Sequence, residues 1–375
     1  MAAATDEIAP DTVERRSRGR GENSIGKTAL ANRCLHLPGG PYTGGQPARL
    51  NDGGKADQPC QPSGRHSPAH FPQCSPRQVR AGHPLTHRSK RQEDRQHMQH
   101  MQHMQHMQYI VHQEAGPAYA ALGERLEKIL AETAPLVTAV TELPLPDSIV
   151  IRTMTVRDWK RAHRHSSKQQ LVTEALQLGV THRTKATMAR RGKLVGLGMM
   201  WPTMLGQAVA FEPGRPELVI VPEALQHAGR LDDDPVLYKL LGHEMTHLAQ
   251  DAASAGAMWT AQDTYFPNLR GTADRDYHFL VEGHAHWADQ QITTKIFGEP
   301  VSTDEASPHA SARYLSLVAS LHTRLGEKQR QGTDSVAQII DTKGLDTFNQ
   351  VWTTPDLVPL KSETSTPELW QRHFG

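Results

Sequence analysis

The sequence predicts an α+β fold with one small sheet and several helices, preceded by a long disordered N-terminal tail. From residue 109 onward, short strand-like segments alternate with longer segments of helical apolar periodicity. Before that point the chain is rich in Gly, Pro, Arg, His, Gln and Ser and has almost no apolar periodicity. Such a segment buries too little apolar surface to offset the entropy lost on ordering. We therefore predict a disordered, low-complexity tail over 1–108 and one folded domain over 109–375.

The bulk composition argues against several classes of function. The formal net charge is +1, from 41 basic and 40 acidic side chains, which argues against a nucleic-acid partner. The three cysteines all lie in the predicted tail, at Cys34, Cys60 and Cys74, and suggest no disulfide framework. No apolar run reaches the roughly 18 residues of a membrane span, and the N-terminus lacks the apolar core of a signal peptide. We expect a cytoplasmic protein without a membrane partner.

Two features of the tail have alternative interpretations. The His-Met-Gln repeat from His97 to Gln108 is typical of a biased disordered tract, although its histidines are metal-binding side chains. The segment GENSIGKT, Gly21 to Thr28, fits the phosphate-loop pattern. No buried strand precedes it and no βαβ pattern follows, so we interpret it as a coincidence. Nucleotide binding through Lys27 stays open as an alternative, which removal of residues 1–108 would abolish.

The elements of the folded domain follow from local patterns. The last three predicted helices are the helix that carries the motif described in the next paragraph and the two helices that follow it. The stretch Leu194 to Met200 is apolar but rich in glycine and has no clear assignment. In chain order we predict a helix over 118–140, a strand over 148–153, a helix over 158–178, strands over 207–211 and 218–221, and helices from 234, over 276–297 and near 310–324.

The motif HEMTH lies on a helix with clear start signals. Asp232, Asp233 and Asp234 precede Pro235, which favours a helix start because acidic side chains stabilise the positive end of the helix dipole. His243 and His247 are four residues apart and lie one turn above each other. Two imidazoles at that spacing can bind one zinc ion, while Glu244 between them can act as a general base. We predict one Zn²⁺ per chain.

A catalytic zinc needs a third protein ligand and an open position. Our first candidate is Glu282 in the later helical segment FLVEGHAHWADQQI, where the small Gly283 and Ala285 allow close packing against the first helix. Asp274 is the alternative metal ligand, because Gly271 to Tyr277 is similar to the GTxDxxY signature of aspartate-ligand zincins. Further candidates for metal binding, for stabilising an oxyanion or for supporting the ligands are Tyr277, His278, His284, His286 and Asp289.

The sequence resembles a known family. HEMTH followed by VEGHA looks like the gluzincin arrangement of the zincin fold. Together with VEGHAHWAD, the stretch Leu325 to Trp370, which begins LGEKQRQGTDSVAQIIDTKG, resembles zincin-like proteins known mainly from actinobacteria. They are described as zinc-dependent metalloproteases or hydrolases, sometimes as associated with deazaflavin coenzyme biosynthesis. The resemblance spans roughly residues 110–375 and implies a zincin-like fold, zinc at His243 and His247, and Glu282 as third ligand.

We therefore predict a zinc metallopeptidase that hydrolyses peptide or similar amide bonds. In this interpretation zinc activates a water molecule, and Glu244 takes its proton and passes it to the leaving nitrogen. The partner is a peptide or protein substrate, which one of the strands Gln207–Phe211 or Leu218–Val221 binds by strand addition. The alternative is a non-catalytic binding protein that zinc stabilises, but a structural site would have no need of Glu244 and would usually use four protein ligands.

Overall fold

The computed structural model describes residues 108–181, 184–321 and 325–375. The predictions made for residues 1–107 lie outside the described residues. None of the helices in the described part is long and apolar enough to cross a bilayer. The strands are β1 Gln108–Gln113, β2 Ser148–Thr153, β3 Gly206–Glu212 and β4 Arg215–Ile220; the helices are α1 Ala120–Thr141, α2 Val156–Gln177, α3 Thr184–Met200, α4 Pro222–Ala228, α5 Asp234–Ala253, α6 Ala257–Gln262, α7 Tyr277–Phe297, α8 Ala312–Leu321, α9 Leu325–Lys343, α10 Leu345–Phe348 and α11 Pro367–Gln371.

The fold is mixed α+β, as predicted, but β1, α3, α4, α6, α9, α10 and α11 were not predicted from the sequence. Gln108, which we had assigned to the tail, begins strand β1. The Gly-rich stretch without an assignment is the end of helix α3, which forms despite its intrinsic cost because Leu197 is buried beside Trp159. Helix α9 has a polar sequence and was not predicted as a separate element; its buried residues include Val336 and Ile339.

The four strands form one sheet in the order β1-β2-β4-β3. Strands β1, β2 and β4 run parallel, and β3 pairs antiparallel with β4 at the edge. Alternate residues of β2 and β4 point to opposite faces, so Ile151 and Leu218 enter the main core with α1, α5 and α7. On the other face, Val219 packs against Trp159 of α2. Because β3 is an edge strand, one side of its backbone is available for contacts beyond the sheet.

Capping side chains fix where α5 and α7 begin. The Asp233 carboxylate accepts a hydrogen bond from the backbone N–H of Val236 at 3.3 Å, so α5 begins within the predicted acidic segment. The Asp276 carboxylate accepts from Phe279 N–H at 3.1 Å and also pairs with Lys328 of α9 at 2.7 Å. Its side chain thus ties the start of α7 to a neighbouring helix, and the start of α7 sets which of its later residues face α5.

The small residue Gly283 serves a different contact from the one expected. A Cβ added at Gly283 would lie 2.6 Å from the backbone carbon of Gly332 in α9, too close for any side chain. Gly283 therefore allows α7 to approach α9, and our expectation that it allows α7 to approach α5 was wrong. Between α5 and α7 the small residue is Gly242, whose Cβ position lies 3.4 Å from Ile292.

Candidate metal centre and cleft

Three side chains from α5 and α7 converge on one point. The Nε2 atoms of His243 and His247 lie 3.2 Å apart. The Glu282 carboxylate lies 3.5 Å from His243 Nε2 and 3.7 Å from His247 Nε2. Ligands about 2.1 Å from a tetrahedral zinc ion are separated from each other by about 3.4 Å. The spacing of these three groups therefore fits a single zinc ion held by two imidazoles and one carboxylate.

Asp289 determines which nitrogen His243 offers to the cluster. Its Oδ2 lies 3.1 Å from His243 Nδ1, and its Oδ1 accepts from Lys239 Nζ at 2.5 Å. A carboxylate held by a lysine is an acceptor, so His243 donates Nδ1–H to it, and Nε2 is the nitrogen that faces the cluster. Burial would raise the pKa of the Asp289 carboxyl, but hydrogen bonds with His243 and His286 and the charge of Lys239 lower it below its usual value. Asp289 thus occupies the position in which a metal-binding histidine usually has a carboxylate partner.

Gln250 determines which ring nitrogen His247 offers to the cluster. The Gln250 amide group is oriented by the backbone oxygen of Val281, which can only accept a hydrogen bond and therefore faces Nε2 at 3.0 Å. The other end, Oε1, lies 2.9 Å from His247 Nδ1, which must donate. His247 Nε2 then keeps its lone pair. The Gln250 amide also reaches His284 Nδ1 at 3.0 Å, so His284 accepts there.

The charge environment of this cluster favours a bound cation. Burial alone would lower the pKa of His243, but hydrogen bonds with Asp289 and Glu282 raise it to about 10. Burial would likewise raise the pKa of the Glu282 carboxyl, yet His243, His247 and His278 hold it well below its usual range. Positive charge is therefore stabilised between these side chains, which a divalent metal ion would supply without protons.

Glu244 faces the same region without belonging to the ligand group. Its Oε2 accepts a hydrogen bond from the backbone N–H of Ala208 in the edge strand β3 at 2.6 Å. Its Oε1 has no hydrogen-bond partner among the residues that the structure describes. An acceptor fixed through one oxygen and open at the other is suited to hold and deprotonate a water molecule.

A cleft of about 580 Å³ opens beside these residues. One wall is strand β3, and the others come from α2, α3, α5, α7 and the segment that contains α6. Two of its cations are paired within the wall: Lys193 lies 3.0 Å from Asp263, and Arg270 lies 3.0 Å from the buried Glu174. The lining includes His243, Glu244, His247, His278 and Glu282.

The other candidates from the sequence occupy different surroundings. His278 lines the cleft, with Nδ1 at 3.8 Å from Glu282, whereas Tyr277 is not among the lining residues. His284 is fully buried and stacks on Phe348, and burial lowers its pKa to about 3, so it is a neutral core residue. Asp274 belongs to the segment that docks on the C-terminal region, where its backbone oxygen accepts from Lys361 N–H. No contact brings the Asp274 carboxylate to the described histidine pair.

His286 is a second neighbour of the cluster. Atoms of His243, Glu282 and His286 that could bind a metal lie within 4.8 Å of one another. His286 Nδ1 lies 3.2 Å from Asp289, and its buried Nε2 has no hydrogen-bond partner among the described residues. His247 completes the set with His243 and Glu282, because its Nε2 lies 3.2 Å from His243 Nε2 and 3.7 Å from the Glu282 carboxylate. Sequence reasoning missed Gln250, Lys239 and the Ala208 amide, although the first two lie one turn from a motif histidine.

Comparison with known proteins agrees with one part of this site. Residues 280–371 match a family model described as zincin-like metallopeptidase, so the expected resemblance is confirmed for that segment. The segment includes Glu282 and excludes the histidine motif of α5. No curated protein matches the chain. A crystal structure of a proposed hydrolase with a novel fold from Chloroflexus aurantiacus is similar with a TM-score of 0.45 and 18% identity, over 68% of this chain and 90% of that chain.

Proposed function

We propose that this protein is a zinc-dependent metallopeptidase that hydrolyses peptide bonds in the cleft beside α5. The observation that carries the proposal is the convergence of His243, His247 and Glu282 within 3.2–3.7 Å, next to an open cleft and an unligated Glu244. His243, His247 and Glu282 would hold the metal. When bound, zinc lowers the pKa of water towards about 7 and polarises a carbonyl group.

In this proposal, residues of the chain transfer the proton, stabilise the developing charge and bind the peptide. Glu244 accepts a proton from the attacking water at Oε1, while the Ala208 amide holds its other oxygen in place. It then delivers that proton to the leaving nitrogen. His278 is the candidate for stabilising the developing negative charge, because it lines the cleft and lies next to Glu282. The edge strand β3 offers backbone groups along which an extended peptide can lie.

The deciding experiment compares Glu244→Gln with wild type, both loaded with zinc. Glu244 is not a ligand in this proposal, so the variant should keep its zinc and its thermal stability. Loss of the general base should reduce peptide cleavage by about 10²–10⁴-fold. Glu299→Gln makes the same change at an exposed position and should leave cleavage unaltered. Equal cleavage by Glu244→Gln would contradict the mechanism.

Zinc content tests the ligand assignment separately from activity. Glu282→Ala should lose bound zinc, whereas Asp274→Ala and His286→Ala should retain it at stoichiometric zinc. Metal analysis after gel filtration measures each variant. If Asp274→Ala alone released zinc, the assignment of Glu282 would be wrong. If zinc-loaded wild type cleaved nothing in broad peptide and amide screens, the non-catalytic zinc-stabilised binding protein would be the better interpretation.

A further inference from the structure

Asp251 lies in the wall of the cleft, one helical turn beyond His247 on α5. Helical spacing places it on the face of α5 that also carries Glu244 and His247, about 6 Å further along the helix than His247. Its side chain is half-buried. The neighbouring carboxylates Glu244 and Glu282 belong to the candidate metal centre, but Asp251 contacts neither.

The fold gives no structural reason for a carboxylate at this position. In the part of the chain that the structure describes, the Asp251 side chain makes no hydrogen bond and no ion pair. It stands in the last turn of α5, where the helix dipole favours cations and disfavours anions. Burial raises the pKa of its carboxyl, which means that the charged form is not stabilised by its own surroundings.

A helix-capping role does not account for Asp251 either. Helix α6 begins just after Gly256, whose N–H donates to the backbone oxygen of Asp251 rather than to its carboxylate. A Cβ placed on Gly256 would come within 3.7 Å of Asp251 Oδ1. The glycine is accounted for by its positive φ of 79°, so its position gives the Asp251 carboxylate no structural role.

The lining of the cleft that contains Asp251 has the chemistry of a site for an organic cation. Trp259 of α6 lines the same cleft, and an indole face attracts guanidinium and ammonium groups. The described cleft lining contains the carboxylates of Glu174, Glu244, Asp251, Asp263 and Glu282 but only two permanent cations, Lys193 and Arg270, each held in an ion pair. A bound divalent metal would leave this lining negative, so the cleft attracts positive charge.

We infer that Asp251 selects substrates that carry a guanidinium or ammonium group near the bond to be cleaved. The inference rests on the proposed function and specifies its substrate class. An extended peptide advances about 3.3 Å per residue, so a separation of about 6 Å corresponds to roughly two residues. The selected group is therefore an arginine or lysine side chain within about two residues of the scissile bond. Its cation pairs with the Asp251 carboxylate and covers the Trp259 ring.

Binding of small probes tests this inference without requiring hydrolysis. N-acetyl-arginine amide and N-acetyl-citrulline amide have nearly the same shape, but only the arginine compound is charged. The zinc-loaded full chain should bind the arginine probe about tenfold more tightly, because a charged hydrogen bond in a partly buried site is strong. Asp251→Asn should bind both probes equally, and Asp304→Asn, the same change on an exposed loop, should behave as wild type. Titration calorimetry measures the dissociation constants.

Peptide cleavage provides the second measurement. Peptides with arginine should be cleaved at about tenfold higher kcat/KM than the same peptides with citrulline. Asp251→Asn should lose this preference, so that its ratio of kcat/KM for arginine over citrulline peptides falls to about one, and Asp251→Lys should favour glutamate over arginine. Equal binding of the two probes by wild type, or a preference that survives in Asp251→Asn, overturns the inference. Failure of all cleavage together with selective probe binding would refute the peptidase proposal and leave the cation site standing.

Discussion

Single residues outside the HExxH motif determine whether its histidines can act as ligands. An imidazole binds a metal through the nitrogen that carries no proton, so something must hold the proton on the other nitrogen. Asp289 does this for His243, and the Gln250 amide does it for His247. Gln250 is itself locked by Val281 and His284. The ligand geometry therefore depends on a buried amide that no motif search would select.

We predict that Gln250→Leu weakens zinc binding by about 10–100-fold without unfolding the protein, because His247 loses the acceptor that fixes its ring. Competition with a chelator measures the zinc affinity, and circular dichroism verifies the fold. Gln290→Leu places the same change on the exposed side of α7 and should have no effect. Unchanged zinc affinity in Gln250→Leu would show that the His247 ring is oriented by other contacts.

A second residue-scale prediction concerns acid stability. His163 is buried between Trp159 and Phe211, and its Nε2 lies 3.0 Å from Gln207 Oε1. Burial and the nearby Lys193 lower its pKa to about 4. Since the unfolded chain binds this proton near pH 6.5, the folded state loses stability as the pH falls from about 6.5 to about 4, by up to about 3 kcal/mol.

Urea unfolding of wild type and His163→Gln at pH 7 and pH 4.5 measures this contribution. The variant should lose less stability than wild type between the two pH values, because the residue that must take up a proton is absent. Other acid-sensitive groups are common to both proteins and cancel in the comparison. An identical loss in the two proteins would exclude His163 as a source of the acid sensitivity.

At the scale of elements, the contact between α7 and α9 depends on two glycines. Gly283→Ala places a methyl group against the Gly332 backbone and should destabilise the protein by about 1–3 kcal/mol, despite the better helix propensity of alanine. Thermal melting measures the change. Gly198→Ala on α3 has open space around it and should be neutral or stabilising by up to about 1 kcal/mol. Equal melting temperatures for Gly283→Ala and wild type would refute the close contact.

The elements differ in how well the sequence predicts them. Strand β2 and helices α5 and α7 were predicted closely because apolar periodicity, acidic caps and a terminal glycine act locally. Helix α3 was not, because its glycines disfavour a helix and only packing of residues such as Leu197 against α2 and the sheet compensates for them. The partner of Gly283 was mistaken for the same reason: sequence spacing reveals a small residue but not the helix that approaches it.

For the candidate site, the motif and the carboxylate proposed as third ligand, Glu282, were predicted from local sequence patterns on two helices. The Ala208 amide could not, because a backbone group has no sequence signature and its position depends on how β3 meets α5. The same holds for Asp251, whose lack of a partner is visible only when the cations Lys193 and Arg270 of the cleft are seen to pair with other carboxylates. Local signals thus indicate candidate ligands, whereas tertiary packing determines which groups orient them.

At the scale of the whole molecule, we predict that the chain from residue 107 to 375 folds and binds zinc as the full chain does. The sequence before it lacks apolar periodicity, and every predicted ligand lies after it. A chain from 115 to 375 should be much less stable, because it lacks β1 and the whole β1–β2 ladder. Thermal melting and zinc content of the three chains test this. Failure of the 107–375 chain to fold would refute the prediction that the tail is dispensable.

The placement of the three candidate ligands on two helices has a mechanical consequence. His247 and Glu282 are separated by roughly 35 residues, so an ion bound to both closes a covalent-like ring that includes α6 and the following loop. A permanent cross-link of that span would stabilise the folded protein by about 3–4 kcal/mol, because it lowers the entropy of the unfolded chain. A metal ion is a removable version of that cross-link. Scarcity of zinc would therefore loosen the segment that carries Trp259 and Asp263, and with it one wall of the cleft.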